Sequence, residues 1–286
     1  MIKIITWNIQ CGLGTDGLHS LDRIARVINN LGDPDIICLQ EVSQHMPDLD
    51  GGHDIDQCAE LQSLFPSYTP VFGPAVDRVR TEHTQRQALG NLILSRLPVL
   101  QIFLHPLPQP ADSSVKHMPR QASEIVVDTG ASILRVVTTH LEFHSQTQRL
   151  AQISRLRDLH LEVCGNVIKP GLNPGHGTYV TKPRPVSTVY CGDFNFTPGS
   201  AEYTHMLSPF SCGAIPLHDA WNAQYGTSPH LPTCGIYDHQ QWPEGAHCRD
   251  FFFTTADLTT NITELDVATD TNASDHQPMR IVIQDC

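Results

Sequence analysis

Ser274-Asp275-His276 lies downstream of Arg249-Asp250-Phe251-Phe252-Phe253, and together the two stretches can supply a buried acid–imidazole dyad. In such a dyad the carboxylate fixes the imidazole tautomer and steadies its positive charge, leaving the second ring nitrogen free for hydrolytic chemistry. Asp-His pairs also populate surface turns, so the pair gains meaning only from its company. Four further apolar runs end in polar groups: Thr6-Trp7-Asn8, Gln40-Glu41, Thr139-His140-Leu141-Glu142 and Gly192-Asp193-Phe194-Asn195. Strand ends place side chains rigidly, and the loops beyond them admit solvent and substrate. Groups spread so widely converge only if their strands lie side by side, in one domain covering residues 1–286.

The apolar pattern supplies such strands at 2–7, 35–40, 88–95, 99–104, 122–127, 133–139 and 186–191, with the last three at 251–254, 262–267 and 279–283. Helices fall between them. Ser20 reads as the N-cap of a helix with Leu21, Ile24, Val27, Ile28 and Leu31 on one face, stopped by Gly32-Asp33-Pro34. A short helix spans 57–64, another 200–207, and a long stripe over 145–163 begins with Ser145 and Gln148 at capping-box spacing. Residues 44–58, 105–119 and 165–185 read as loops, being rich in Gly, Pro and polar residues without periodicity. Many strands with few helices predict two sheets packed face to face with helices outside.

Composition narrows the function. The formal net charge is −12, and the four lysines are Lys3, Lys116, Lys169 and Lys182. Proteins that grip duplex DNA spread basic groups along its phosphates. No such stripe is visible, so long nucleic acid is disfavoured as a partner and a compact phosphate ester is favoured. Nine cysteines, an odd count without Cys-x-x-Cys, read as reduced thiols, with Cys38, Cys164 and Cys191 inside apolar runs and terminal Cys286 the most reactive. No run is long enough for a membrane span, and the first residues read as a core strand rather than a signal peptide, so a soluble cytoplasmic protein is expected. Nothing in the chain calls for an obligate protein partner.

In order along the chain, Trp7-Asn8, Gln40-Glu41, Thr139-His140-Leu141, Gly192-Asp193-Phe194-Asn195, Arg249-Asp250-Phe251 and Ser274-Asp275-His276 resemble the motifs of the endonuclease/exonuclease/phosphatase superfamily, as does Gly90-Asn91-Leu92-Ile93-Leu94-Ser95-Arg96. The resemblance runs from residue 4 to 284. It implies an α/β fold, a four-layer sandwich of two mostly antiparallel sheets with outer helices, a divalent metal (Mg2+ or Mn2+), and hydrolysis of a phosphodiester or phosphomonoester. One departure is Gln10, where abasic-site endonucleases of this group carry an acid, and it weakens that subgroup assignment.

Within that resemblance the residues take roles their chemistry allows. Glu41 is a metal ligand, since a hard cation such as Mg2+ keeps several waters and meets few protein oxygens. Asn8 either completes the metal shell or holds Glu41 in place, with an Asx-turn after the strand as the competing explanation. Asp193 orients or deprotonates the attacking water and Asn195 donates to a phosphate oxygen, although turn formation before Thr197-Pro198-Gly199 would also explain this pair. His140 donates to phosphoryl oxygens as charge builds. Asp275 contacts the metal directly or through water, and His276, paired with Asp250, binds phosphate or moves a proton. Asn91 is either near the substrate or structural, Glu142 and His144 face the site or cap a helix, and Arg86 and Arg120 are placed where an arginine could face a phosphate, with the solvated surface the favoured reading for each. Two rival functions are a nuclease of the same fold and a catalytically silent protein-binding scaffold.

Overall fold

Ile2 and Ile4 face one side of the first strand, Ile5 and Trp7 the other, and all four are buried. A strand covered on both faces reads as a continuous apolar run, and this one sits inside a layered structure. A computed structural model describes residues 1–80, 85–173, 175–210 and 213–284; Cys286, expected to be the reactive thiol, lies outside these residues.

The first half of the chain runs β1 (Ile2–Asn8), α1 (Leu21–Asn30), β2 (Ile36–Gln44), α2 (Gln57–Leu64), β3 (Thr69–Val79), β4 (Arg86–Ser95), β5 (Val99–Pro106), β6 (Gln121–Asp128) and β7 (Ile133–His140). The second half runs α3 (Gln146–Ile168), β8 (Thr188–Asp193), α4 (Ala201–Leu207), β9 (Leu217–Asp219), α5 (Ala220–Tyr225), β10 (Asp250–Thr255), α6 (Ala256–Thr259), β11 (Ile262–Val267) and β12 (Met279–Ile283). One sheet has the order β11-β12-β1-β2-β4-β3 and the other β5-β6-β7-β8-β10-β9.

Three buried clusters mark the interfaces between four layers. Ile4, Ile36, Cys38, Ile125, Val136, Cys191, Phe252 and Ile281 fill the space between the sheets. Leu21, Ile24, Ile28 and Leu61 pack α1 and α2 against Ile5, Trp7, Ile37 and Leu39. On the far side, Ile153, Leu156, Leu159 and Met206 seat α3 and α4 on Val137, Tyr190 and Phe253. The expected four-layer sandwich is the observed one. Ser20 and Ser145 accept from the amides of Arg23 and Gln148, as the helix starts predicted. Cys38, Cys164 and Cys191 are buried, also as expected.

Sheet topology positions the site. Most neighbours are antiparallel, but β1 pairs with β2 and β7 with β8 in parallel, one such pair at the centre of each sheet. Parallel neighbours end together: Asn8 lies opposite Gln40, and His140 opposite Asp193. β10 runs antiparallel to β8 and begins there, with Asp250 opposite Asp193. β12 likewise begins beside the end of β1, so His276, three residues before it, arrives at the same end. Ligands of α/β sheets bind beyond the carboxyl ends of parallel strands, and here two such pairs point the same way.

Several boundaries differ from the sequence reading. β2 does not stop at Gln40 but continues to Gln44 through a bulge, in which Gln40 and Glu41 together stand opposite Asn91. Glu41 therefore lies within a strand, at φ 56. β3 went unread because Pro70, Gly73 and Pro74 interrupt its pattern; as an edge strand it tolerates prolines. β9, α5 and α6 are too short to show periodicity. The long helix runs on to Ile168, into the stretch read as loop.

Candidate active site

Asn8 is the hub. Its amide nitrogen donates to Glu41 Oε1 at 3.0 Å and to Asp193 Oδ2 at 3.1 Å. Its carbonyl oxygen accepts from the Gln10 amide at 3.1 Å. Two carboxylates on one side and an N–H on the other fix which way the amide points. Of the two roles open to Asn8, this arrangement matches holding Glu41 in place. The bulge aims Glu41 into the cleft, where 30% of its side chain remains accessible.

Two histidines flank Asp193 Oδ2: His140 Nε2 at 3.4 Å and His276 Nε2 at 3.6 Å. His276 Nδ1 donates to Asp250 Oδ2 at 2.8 Å. The dyad expected from the sequence is therefore present, and its second nitrogen faces Asp193. Asp193 Oδ1 accepts from the Asn195 amide at 2.9 Å, closing an Asx-turn at the end of β8, while Asn195 also lines the cleft. The Asn195 side chain donates to the Leu141 carbonyl at 2.9 Å. Gly192, at φ 131, lets β8 pass β7 closely: a Cβ there would lie 2.0 Å from the Thr139 oxygen.

Deeper contacts hold these groups still. The Trp7 indole donates to the His276 carbonyl at 2.9 Å, and the Ser274 hydroxyl to the Asn8 carbonyl at 2.7 Å. Gln40 lies beneath, its amide nitrogen 3.2 Å from Thr6 Oγ1 and 2.9 Å from Thr138 Oγ1, tying β2 to both sheets.

Electrostatics separate the two histidines. Burial, with Arg120 and His276 adding positive charge nearby, presses the His140 pKa down to about 3. Burial also works against a charge on His276, yet Asp250, Asp193 and Asp275 outweigh it and hold its pKa well above the ordinary imidazole value. Burial would raise Asp193, but His276, His140 and the Asn8 bond bring it below the usual carboxylate value. Glu41 is raised by burial and by Asp275, and burial raises Asp275 as well.

These groups line one cleft of about 730 Å3, together with Asp275, Lys116, His117, Arg120, Phe143 and Trp242. A second cavity of about 480 Å3 beside α1 and α2 contains none of them. Of the two placements open to Arg120 the favoured one, solvated surface, is not observed: it is buried and lines the cleft, its Nε 3.3 Å from Glu142 Oε2, whereas Arg86 is exposed and bonded to Asp77. Nothing in the spacing of Pro119-Arg120-Gln121 signals that placement. Glu142 and His144 line the cleft, and the Glu142 side chain also accepts from the His144 amide. Asn91 donates to the Gln121 carbonyl, a structural bond, while bordering a small pocket beside Glu41 and His140. Trp242 was overlooked because it sits in a stretch without periodicity; its ring stands edge-on to His276 at 5.9 Å.

A model of the Endonuclease/Exonuclease/phosphatase family matches residues 5–276. The chain belongs to that family. Members of the endonuclease/exonuclease/phosphatase family act on phosphate esters, so the chain is a hydrolase. An endonuclease/exonuclease/phosphatase from Beutenbergia cavernae DSM 12333 is 23% identical, with 98% of this chain and 70% of that one covered and a TM-score of 0.70. The mannosyl-6-phosphatase of Bacteroides thetaiotaomicron VPI-5482 is 16% identical over 99% of this chain and 100% of that one, with a TM-score of 0.68. Truncated Caenorhabditis elegans TDP2 is 19% identical over 98% and 96%, with a TM-score of 0.62. At these identities the likeness is one of fold. No curated protein matches the chain.

Endonuclease/exonuclease/phosphatase enzymes generally depend on a divalent metal, and the donor set here suits one. Glu41, partly accessible in the cleft, and buried Asp275 are oxygen donors, and the charge of Asp275 raises the Glu41 pKa, a repulsion that a hard cation relieves. Among the described residues, Asp193, Asp250 and His276 form a buried group whose ligand atoms lie within 4.8 Å of one another. Within that group the Asp250–His276 hydrogen bond holds two of the three together at 2.8 Å. No helix among the described residues is long and apolar enough to cross a membrane.

Proposed function

We propose that this hydrolase is a divalent-metal-dependent phosphoesterase acting on a small-molecule or lipid-derived phosphate ester. The observation that carries the reading is Asp193 Oδ2, which faces the rings of His140 and His276 while Asn8 links it to Glu41. When bound at Glu41 and Asp275, Mg2+ or Mn2+ supplies positive charge against the phosphoryl oxygens.

The chain's own residues do the rest. Asp193 orients a water and takes its proton as the water oxygen bonds to phosphorus. His140, uncharged, donates one ring N–H to a phosphoryl oxygen. His276, its Nδ1 held by Asp250, offers Nε2 to the same phosphate. Asn195 keeps one amide hydrogen on Leu141 and has a second for a phosphate oxygen. The ester P–O bond breaks with its electron pair going to the alcohol oxygen, which is protonated from solvent.

A net charge of −12 and four lysines support a compact substrate over a long nucleic acid. Among structures of the same fold, one is a mannosyl-6-phosphatase. Purified protein with Mn2+ is expected to hydrolyse p-nitrophenyl phosphate or its bis ester and to nick plasmid DNA poorly. Efficient nicking that falls steeply with salt would favour the nuclease instead. Hydrolysis of neither ester, nor of any natural phosphate ester tried, would favour the scaffold.

A further inference from the structure

Besides the reacting groups and the polar side chains of Gln10, Lys116, His117, His144 and Gln241, the cleft has an apolar lining. Leu49, Leu89, Met118 and Phe143 line it, contributed by the segment after β2, by β4, by the approach to β6 and by the segment after β7. Leu89 and Met118 also border the small pocket that holds Glu41 and His140, so the wall begins beside the reacting end. Leu49 leaves 38% of its surface exposed. Phe143 is firmly seated: its ring stands edge-on to Trp242 at 5.6 Å and to His144 at 4.7 Å, with the Arg249 guanidinium 5.6 Å from its centre.

Among the described residues that line the cleft, no free acid stands with these four apart from the reacting groups. Glu142 is engaged at both oxygens, Oε2 by Arg120 and the Met118 amide and Oε1 by the His144 amide. Four apolar side chains from four segments, converging on the mouth of a polar site, lose water only when something apolar covers them. A polyhydroxylated or multiply phosphorylated alcohol would leave its own polar groups unpaired against them.

We propose that Leu49, Leu89, Met118 and Phe143 seat the alcohol part of the substrate, so that the enzyme favours phosphate esters of apolar alcohols. This specificity rests on the phosphoesterase reading above. The apolar group can belong to a dissolved small alcohol or to a lipid, and the seat is the same for both.

The test is a series of n-alkyl phosphates from methyl to hexyl, with the matching p-nitrophenyl alkyl diesters, beside glycerol phosphate and a hexose phosphate, assayed with Mn2+. The alkyl leaving groups of the monoesters differ little in acidity and the diesters share p-nitrophenolate as leaving group, so either trend reports contact rather than chemistry. In whichever series is hydrolysed, kcat/KM is expected to rise with chain length, by up to about fourfold for each methylene fully buried. Phe143→Ala and Leu89→Ala are each expected to flatten the rise, the hexyl ester losing about tenfold more than the methyl ester. That comparison within one variant holds even if the variant is less stable. Dioleoyl phosphatidic acid in phosphatidylcholine vesicles separates the sources: turnover there as well as on hexyl phosphate assigns a lipid, and turnover on dissolved esters alone a small alcohol. A flat series, or preference for the glycerol or hexose ester, overturns the seat but leaves the phosphoesterase reading standing. Failure to hydrolyse any ester overturns both.

Discussion

The amide of Asn8 on β1 donates to Asp193 Oδ2 on β8 across 3.1 Å, so a single hydrogen bond spans the two sheets where the reacting groups meet. The same nitrogen holds Glu41 at 3.0 Å. Asn8→Asp keeps the shape but turns two donated hydrogen bonds into contacts between carboxylates. Turnover should fall about 10- to 100-fold, as for other groups that orient metal ligands, with circular dichroism unchanged. Activity near wild type would mean that the hub is dispensable.

Glu41→Gln removes one of the charges that hold a cation and keeps the size. The metal concentration giving half-maximal activity should rise at least about tenfold. Calorimetric titration of Mn2+ into the protein should show the same weakening without any substrate present. Equal Mn2+ affinity in the two proteins would place the cation elsewhere.

His276→Ala should reduce kcat at least about a hundredfold. Asp250→Asn should also reduce it, because Asp250 sets the orientation of the ring. If the two act as one unit, the double variant loses little more than His276→Ala alone. Fully multiplicative losses would show that Asp250 works through something other than His276.

Acid stability turns on Glu124, which lies on β6 away from the cleft. It accepts from Arg184 at 2.7 and 2.8 Å and lies 3.1 Å from His105 Nε2. Burial alone would raise its pKa; these partners, with Arg135, bring it from 4.5 to about 2. The folded chain thus binds this proton more weakly than the unfolded chain. The resulting stability, about 3 kcal/mol, is complete above about pH 4.5 and lost as pH falls through about 2. Glu124→Gln should lower Tm at pH 7 and lose less further stability between pH 4.5 and 2. A Tm profile parallel to that of the native chain over that window would contradict the assignment.

Gly192→Ala tests the close pass of β8 and β7. With φ 131 and a Cβ 2.0 Å from a backbone oxygen, the variant should lose at least about 2 kcal/mol in denaturant melts and lose activity with it.

Much of this was legible because the reacting groups follow apolar runs long enough to read as strands. Asn8, His140 and Asp193 end theirs, and one parallel pair per sheet brings those ends together. The Asp250–His276 bond was legible for the same reason, since both residues flank the starts of strands. Glu41 was read as ending a strand, but a bulge with a left-handed residue is a backbone event that side-chain periodicity does not encode. For Arg120 the sequence favours solvent over the site, because its burial depends on Glu142, 22 residues further on, and no local pattern reports such a pairing. Trp242 and Phe143 lie between elements, where only the assembled fold reveals what they touch.

The most direct test is kcat for Mn2+-dependent hydrolysis of bis-p-nitrophenyl phosphate and p-nitrophenyl phosphate, comparing the native chain with Asp193→Asn. The account predicts turnover by the native protein that EDTA abolishes, and at least about a hundredfold less in the variant with the fold intact. Turnover undiminished in Asp193→Asn, or persisting with the metal removed, would contradict it.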